Sequence, residues 1–147
     1  MEPIKEFRYN YFFLSNFSRD PVLYHGITFK TSEHAYQWAK SETDEDRQKM
    51  MACITAMDVK KAGHSIKCDI KKWDENKVAV MEDILRHKFS TKTLRAKLYA
   101  TGDAELIEGN YWHDNYWGQC YCAKCKNKIG LNHLGKCLMT IRGEINY

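Results

Sequence analysis

Hydrophobic residues in the second half of the chain recur with the period of an α-helix. The clearest stripe consists of Val78, Met81, Ile84, Leu85 and Phe89. Residues three or four positions apart lie on one side of a helix, so this stripe predicts a helix over about residues 74–89 with one face in a core.

Two further stripes follow towards the C-terminus. Leu94 and Leu98 predict a helix that ends near Gly102. The last stripe consists of Leu131, Leu134, Leu138, Ile141 and Ile145. Its spacing predicts a C-terminal helix whose apolar face belongs to the core.

Helix start signals occupy the segment before these stripes. Ser32 has the side chain of an N-cap and precedes "EHAYQWAK", which predicts a helix from that point. Thr43 and Thr55 are each followed three residues later by an aspartate, the spacing of a capping box. Gly63 is the predicted stop of the helix that follows Thr55.

The beginning of the chain has the composition of β-strands. "FRYNYFFLSNF" and "VLYHGITFKT" are rich in aromatic and β-branched residues, and the turn signal "SRDP" separates them. A short strand is therefore expected in each stretch. The predicted fold class is α+β and mostly α, with short N-terminal strands.

A segment of nearly thirty residues separates the last two predicted helices, and it contains "EGNYWHDNYWG" at 108–118. Loops of this length in a small domain are usually functional or disordered, and the many aromatics favour order. Tryptophan faces can stack a base, and carboxylates beside them can act as acid or base. Alternatively, Trp112 and Trp117 are core anchors, and Glu108, His113 and Asp114 are solvated loop residues.

Two other stretches repeat this mixture of residues. In "SEHAYQWAK", Glu33, Tyr36, Gln37 and Lys40 share one helical face, which would line a pocket or face solvent. In "KKWDENK", the three residues of interest are Trp73, Asp74 and Lys77. The alternative interpretation of the second stretch is an ion pair beside a core tryptophan.

Composition and charge limit the protein class. The 147 residues predict a single domain over 1–147, and the net charge of +4 permits a phosphorylated ligand without indicating a nucleic-acid groove. The sequence has no apolar run of membrane-spanning length and no signal peptide, so a cytoplasmic protein without membrane contact is expected. The six cysteines are then expected as thiols, buried or metal-bound.

Seven motifs together resemble the NADAR, or YbiA-like, family. They occur in the family's order and approximate spacing from Phe7 to about Arg142: "FLSNF", "GITFKTSEHAYQWAK", "WDENKVAVM", "KF", "LYATGDAELIEGN", "YWG" and "GLNHLGKCLMTIR". The resemblance implies an α-rich α+β fold and an N-glycosidase activity. It also implies substrates with a ribose joined to a base or amino nitrogen: ADP-ribose on guanine, in nucleosides or nucleic acid, or phosphoribosylamino-pyrimidine intermediates of riboflavin synthesis.

The implied hydrolysis of an N-glycosidic bond assigns roles to the residues of the matching motifs. Glu33 and Asp114 are predicted to stabilise the cationic sugar and position water, and Glu108 is a third acid or only orders the loop. The predicted substrate-binding residues are Asn16, Lys40, Trp73, Lys77, Trp112, Trp117, Gly118 and Asn132. Asn16 would bind a base edge or ribose, the lysines a phosphate or leaving group, and the tryptophans the base. Gly118 and Asn132 would let the loop approach the ligand, although Trp112 and Gly118 could equally be structural.

The chain departs from the family pattern at two places. After "KKAG" many members continue with a Gly-Arg step, whereas His64 follows Gly63 here, which puts one phosphate contact in doubt. After "YWG", Cys120, Cys122 and Cys125 together with His133 or Cys137 provide the ligand types of a structural zinc. Such a zinc would brace the loop, while the chemistry itself needs no metal or redox cofactor. Alternatively, Cys137 is a small core residue.

A function of another class remains open from sequence alone. Lysines that meet phosphates and tryptophans that stack bases also describe a non-catalytic nucleotide or single-stranded nucleic-acid binding module with a zinc-braced loop. Such a module would bind with steep salt dependence and would not need Glu33 or Asp114.

Overall fold

The computed structural model describes residues 1–147, and their contacts divide the chain into two units. The continuous unit comprises Asn16–Lys88, and the two-segment unit comprises Met1–Ser15 together with Phe89–Tyr147. The regular structure is mostly helical with two small sheets, which confirms the α+β, mostly α class. None of the helices has both the length and the apolar composition that crossing a bilayer requires.

The continuous unit contains a β-hairpin followed by four helices. Its elements are β1 (Val22–Tyr24), β2 (Ile27–Phe29), α1 (Ser32–Lys40), α2 (Asp44–Ala52), α3 (Ala56–Gly63) and α4 (Ile70–Lys88). In the hairpin, Val22 pairs with Phe29 and both side chains are buried. His25 and Gly26 make the turn with φ of 51° and 75°, as a tight hairpin requires.

The predicted position of the N-terminal strands is partly wrong. Both strands lie within "VLYHGITFKT", whereas residues Tyr9–Leu14 of the first stretch form a 3-10 helix. The aromatic composition there does not yield a strand because β preference depends on packing and on a partner strand. Tyr9 is 92% exposed, so its side chain gains little from the protein interior.

The helix starts follow the predicted capping pattern with one shift. Thr43 and Thr55 accept hydrogen bonds from the backbone N–H groups of Asp46 and Asp58, at 3.1 and 3.0 Å. The N-cap of α1 is Thr31, not Ser32, because the Thr31 hydroxyl accepts from the backbone N–H of His34 at 3.2 Å, whereas the Ser32 hydroxyl donates to Asn16 Oδ1. α3 ends at Gly63, as predicted.

The helix predicted over 74–89 is α4, which begins four residues earlier, at Ile70. Asp69 starts it by accepting a hydrogen bond from the backbone N–H of Lys72 at 3.1 Å. The predicted apolar stripe is confirmed at its centre, where Met81, Ile84 and Leu85 are buried.

Lys88, at the end of α4, is completely buried and donates a hydrogen bond to Ser18 Oγ at 2.9 Å. Burial lowers the pKa of this ammonium group from 10.5 to about 7, although the charge of Asp20 acts in the opposite direction. Between about pH 7 and pH 10.5, Lys88 holds its proton in the unfolded chain but loses it in the folded chain. The free energy of unfolding therefore rises with pH in this range. Below about pH 7, Lys88 is protonated in the folded and the unfolded chain, and the folded state bears the full free-energy cost of burying the charge.

Replacing Lys88 with methionine is therefore expected to flatten the pH profile of stability. From about pH 7 to about pH 9, the free energy of unfolding of the unchanged protein should rise relative to that of the variant by about 2 kcal/mol. Urea unfolding across this range measures the difference. Lys71→Met, at an exposed position of the same helix, is the control and should leave the slope unchanged. Parallel profiles for Lys88→Met and the unchanged protein would contradict the expectation.

The two-segment unit contains α5 (Lys92–Ala100) and α6 (His133–Gly143), joined by the long predicted loop. α5 ends just before Gly102, whose φ is 65°, as predicted. Within the loop, β3 (Gly109–Asn110) pairs in parallel with β4 (Gln119–Cys120). The loop is therefore an ordered structure between the last two helices.

The N-terminal segment and α6 both attach to this loop. The backbone N–H of Ile4 donates to Glu105 O at 2.8 Å, and Ile107 N–H donates to Ile4 O at 2.9 Å. The predicted core stripe of α6 is confirmed at Leu134, Leu138 and Ile141. It is wrong at Leu131, which precedes the helix and is half exposed, and Ile145 lies beyond the helix end.

Candidate active site

The predicted site residues occur in both units. The continuous unit contains Asn16, Glu33, Lys40, Trp73 and Lys77. The two-segment unit contains Glu108, Trp112, Asp114, Trp117, Gly118 and Asn132. Each group has its own network of contacts.

Glu33 is a buried acid in the first turn of α1, with 7% of its surface exposed. Its Oε1 accepts a hydrogen bond from Gln37 Nε2 at 2.9 Å. Its backbone N–H donates to Asn16 O at 3.2 Å, and Asn16 Oδ1 accepts from the Ser32 hydroxyl at 2.9 Å. Glu33 thus lies in the first turn of a helix, where the helix dipole is favourable to a negative charge.

Gln37 ties this acid to α3. Its Oε1 is buried without a hydrogen-bond partner, and a Cβ on Gly63 would collide with it. Glycine at position 63 therefore lets α3 pack directly against the Gln37 amide. Lys40 Nζ donates to Gly63 O at 2.8 Å. An ammonium group has three donors, so Lys40 can bind this carbonyl and an anion together.

Trp73 and Lys77 lie in the first two turns of α4. The Trp73 ring packs at 5.1 Å from the ring of Tyr36, and Trp73 is half-buried. Lys77 Nζ lies 3.0 Å from Asp74 Oδ1, which forms the ion pair that the sequence offered as the alternative interpretation. The partial exposure of Trp73 leaves part of its surface accessible to a ligand.

Asn110 organises the acidic loop of the two-segment unit, and sequence reasoning missed it. It is fully buried, and its Oδ1 accepts from the backbone N–H groups of Trp112 and Asp114 at 3.3 and 3.1 Å. Its Nδ2 donates to Asp114 O at 2.8 Å and to Glu108 Oε2 at 3.2 Å. One amide thus fixes the backbone on both sides of Asp114 and orients the Glu108 carboxylate.

Asp114 is half-buried and is held by the residues that follow it. Its Oδ1 accepts hydrogen bonds from the backbone N–H groups of Tyr116 and Trp117 at 3.1 and 2.9 Å. Two backbone donors to one carboxylate oxygen fix the direction of the side chain. Asp114 is therefore an oriented acid, which contradicts the interpretation of a solvated loop residue.

Gly118 and Asn132 both pack against Glu108. A Cβ on Gly118 would collide with the backbone oxygen and with Oε2 of Glu108. Asn132 Oδ1 accepts from the backbone N–H of Glu108 at 3.0 Å, and its Nδ2 donates to Leu106 O at 2.8 Å. The close approach that Gly118 permits is thus to Glu108, and both ends of the Asn132 amide are bound within the loop.

The two loop tryptophans have different surroundings. Trp112 is 53% exposed and is not a core anchor. Trp117 is half-buried and lies edge-on to Tyr116, with ring centres 5.1 Å apart. The exposed face of Trp112 is available for stacking.

Four metal-ligating side chains meet beside Asp114. Ligand atoms of His113, Cys120, Cys122 and Cys125 all lie within 4.8 Å of one another. The fourth member is His113, and not His133 or Cys137 as expected. His133 packs against the Tyr116 ring at 4.6 Å, and Cys137 is buried on α6.

The comparisons with known proteins agree with this fold. A model of the NADAR domain matches residues 4–146. N-glycosidase Npun_R5314 of Nostoc punctiforme is 35% identical over 136 residues, which cover 89% of this chain and 83% of that protein. N-glycosidase YbiA of Escherichia coli is 35% identical over 118 residues, covering 79% of this chain and 73% of that protein.

A longer protein and a solved structure add to these matches. Riboflavin biosynthesis protein VVA0006 of Vibrio vulnificus is 31% identical over 138 residues, or 92% of this chain and 36% of that protein. The NMR structure of the E. coli protein YbiA aligns with a TM-score of 0.83 at 32% identity, covering 98% of this chain and 86% of that one. This chain therefore belongs to the NADAR domain family.

Proposed function

We propose that this protein is an N-glycosidase, which hydrolyses the bond between a ribose anomeric carbon and a base or amino nitrogen. The observation that carries the proposal is the pair of constrained acids, Glu33 and Asp114, each held by hydrogen-bond donors of its own unit. Family membership supports it, since relatives named N-glycosidases match over most of their length.

The reaction needs what such acids supply. Cleavage of an N-glycosidic bond develops positive charge on the sugar, by analogy with the oxocarbenium-like transition state of O-glycoside hydrolysis. A fixed carboxylate stabilises that charge or accepts a proton from the attacking water. Because Glu33 and Asp114 are oriented before substrate arrives, little reorganisation is needed in the transition state. The proposed chemistry uses no metal or redox cofactor.

The proposed substrates are ADP-ribose linked to guanine, in a nucleoside or nucleic acid, and phosphoribosylamino-pyrimidines of riboflavin synthesis. Trp112 and Trp73 present partly exposed rings for the base. Lys40 and Lys77 are the proposed partners of the phosphates. The match to a riboflavin biosynthesis protein supports the second class of substrate.

The test is a comparison of substrates with the purified protein. ADP-ribosylated guanosine, an ADP-ribosylated oligonucleotide, a phosphoribosylamino-pyrimidine and unmodified guanosine are incubated separately, and released base and sugar are followed by chromatography and mass. Release of intact base from one of the first three, with guanosine unchanged, is the expected result and identifies the substrate class. Binding without release would contradict the proposal and support a nucleotide-binding module.

A further inference from the structure

The cysteine cluster of the long loop has the composition of a metal site. It consists of one imidazole and three thiols, from His113, Cys120, Cys122 and Cys125. Cys120 and Cys125 are buried, and Cys122 is half-buried. Four nitrogen and sulfur ligands from a short stretch of chain are typical of structural zinc sites, in which the protein fills every coordination position.

The distances within the cluster agree with tetrahedral coordination. Zinc bonds of about 2.0 Å to nitrogen and about 2.3 Å to sulfur place the nitrogen and sulfur atoms of a tetrahedron about 3.5 Å apart. His113 Nδ1 lies 3.3 Å from Cys122 Sγ, 3.4 Å from Cys125 Sγ and 4.0 Å from Cys120 Sγ. The three nitrogen–sulfur distances thus lie within about 0.5 Å of the tetrahedral value, and all four ligand atoms lie within 4.8 Å of one another.

Hydrogen-bond donors surround two of the three sulfur atoms, those of Cys120 and Cys125. The backbone N–H groups of His113 and Cys122 point at Cys120 Sγ at 3.3 and 3.5 Å. Asn115 Nδ2 lies 3.5 Å from Cys125 Sγ. Donors around metal-bound thiolates orient them and compensate their charge, as second-shell groups generally do.

His113 reaches the cluster through an uncommon backbone conformation. Its φ is 70°, in the left-handed region that side chains rarely adopt. The β3–β4 pairing sets Asn110 beside Cys120, and the turn at His113 then directs the imidazole towards the three sulfur atoms. An uncommon φ at a residue with ligand chemistry is consistent with a functional constraint at that position.

We propose that His113, Cys120, Cys122 and Cys125 bind one Zn²⁺ ion in a closed tetrahedral site. Each thiol that is protonated before binding releases its proton to solvent, and no bond of the protein is otherwise made or broken. Three thiolates and one imidazole suit zinc better than calcium or magnesium, which prefer oxygen ligands.

The ion would brace the segment that carries Asp114. That residue follows His113 directly, and the next residue, Asn115, accepts a hydrogen bond from the backbone N–H of Cys120 at 2.9 Å. A zinc ion would therefore join 113–115 to 120–125 by direct bonds, in addition to the hydrogen bonds present. The assignment of the metal site does not depend on the proposed activity.

The proposal is tested first on the whole unchanged protein, produced with zinc in the medium and purified under reducing conditions. Metal analysis is expected to give one zinc per chain. After removal of zinc with a chelator, added Co²⁺ should produce the visible bands of tetrahedral cobalt and thiolate charge-transfer bands, and added Zn²⁺ should abolish both. Removing zinc should also lower the Tm. A protein without zinc that gives no tetrahedral cobalt spectrum would overturn the proposal, as would disulfide bonds among these cysteines that persist after purification under reducing conditions.

Two pairs of variants identify the ligands. Cys122→Ser should lower zinc affinity by at least about 100-fold, more than most outer-shell changes, whereas Cys53→Ser, at a half-buried cysteine outside the cluster, should leave it unchanged. His113→Ala should weaken zinc binding, whereas His113→Cys, which supplies a ligand atom, should restore it and change the cobalt spectrum. Both variants carry the same backbone strain at position 113, so strain does not account for a difference between them. Equal zinc affinity in all four variants would overturn the ligand assignment.

Discussion

Replacement of Asp114 by asparagine is expected to lower kcat about 10²–10⁴-fold while the protein stays folded. The asparagine oxygen can still accept the two backbone hydrogen bonds from Tyr116 and Trp117, so the loop keeps its conformation and loses only the charge. Glu33→Gln is expected to have the same effect, because the new amide oxygen can still accept the hydrogen bond from Gln37 while the charge is lost. Steady-state kinetics on the substrate identified for the unchanged protein measures both effects.

The matched control is Glu82→Gln, which removes a carboxylate of α4 that lies 3.6 Å from Arg86. Pairs of this kind near the surface contribute little to stability, and this variant should keep the unchanged kcat. Ligand binding by the Asp114 and Glu33 variants, measured by calorimetry, should persist. If both variants retained the unchanged kcat with a native unfolding transition, neither acid would belong to the reaction.

Gly118→Ala is expected to destabilise the long loop strongly. The added methyl group would meet the backbone oxygen and the carboxylate of Glu108, and the backbone atom cannot rotate away as a flexible side chain can. Overpacking of this kind costs about 2–3 kcal/mol of unfolding free energy and displaces the backbone. The displacement separates β4 from Glu108, whose carbonyl accepts from Gln119 N–H at 2.9 Å.

Denaturant unfolding of Gly118→Ala and Gly143→Ala measures this effect. Nothing lies within 4 Å of a Cβ at Gly143, the last residue of α6, so its alanine variant should be unchanged or stabilised by at most about 1 kcal/mol. Equal stability of the two variants would show that the loop has more room at Gly118 than the structure indicates.

The helices could be predicted because their signals are local. The capping threonines and the apolar stripes act within a few residues, and Thr43, Thr55 and the buried centre of α4 appear as expected. The start of α4 was placed too late because Asp69, its capping residue, precedes the apolar stripe. The residues Tyr9–Leu14 were predicted as a strand because composition does not show whether a partner strand is present.

The loop could be identified from its sequence as a position for chemistry, but its internal organisation could not be predicted. The importance of Asn110 rests on four hydrogen bonds that close only when the loop is folded. His113 was not predicted to join the cysteines because it precedes them, and the fourth ligand was sought among the residues that follow them, His133 and Cys137. The parallel pairing of β3 and β4 brings His113 next to the cysteines, and spacing along the sequence does not reveal that pairing.

The arrangement of the two units along the chain has a consequence for synthesis on the ribosome. The continuous unit is complete once Lys88 has emerged, whereas the two-segment unit needs both its first residues and its last. The pairing of Ile4 with Leu106 closes a loop that contains the whole continuous unit, and such distant contacts form late. Residues 1–15 therefore cannot reach their native contacts until most of the chain has been translated. In ribosome-bound nascent chains, residues 16–88 should become protected from protease before residues 1–15.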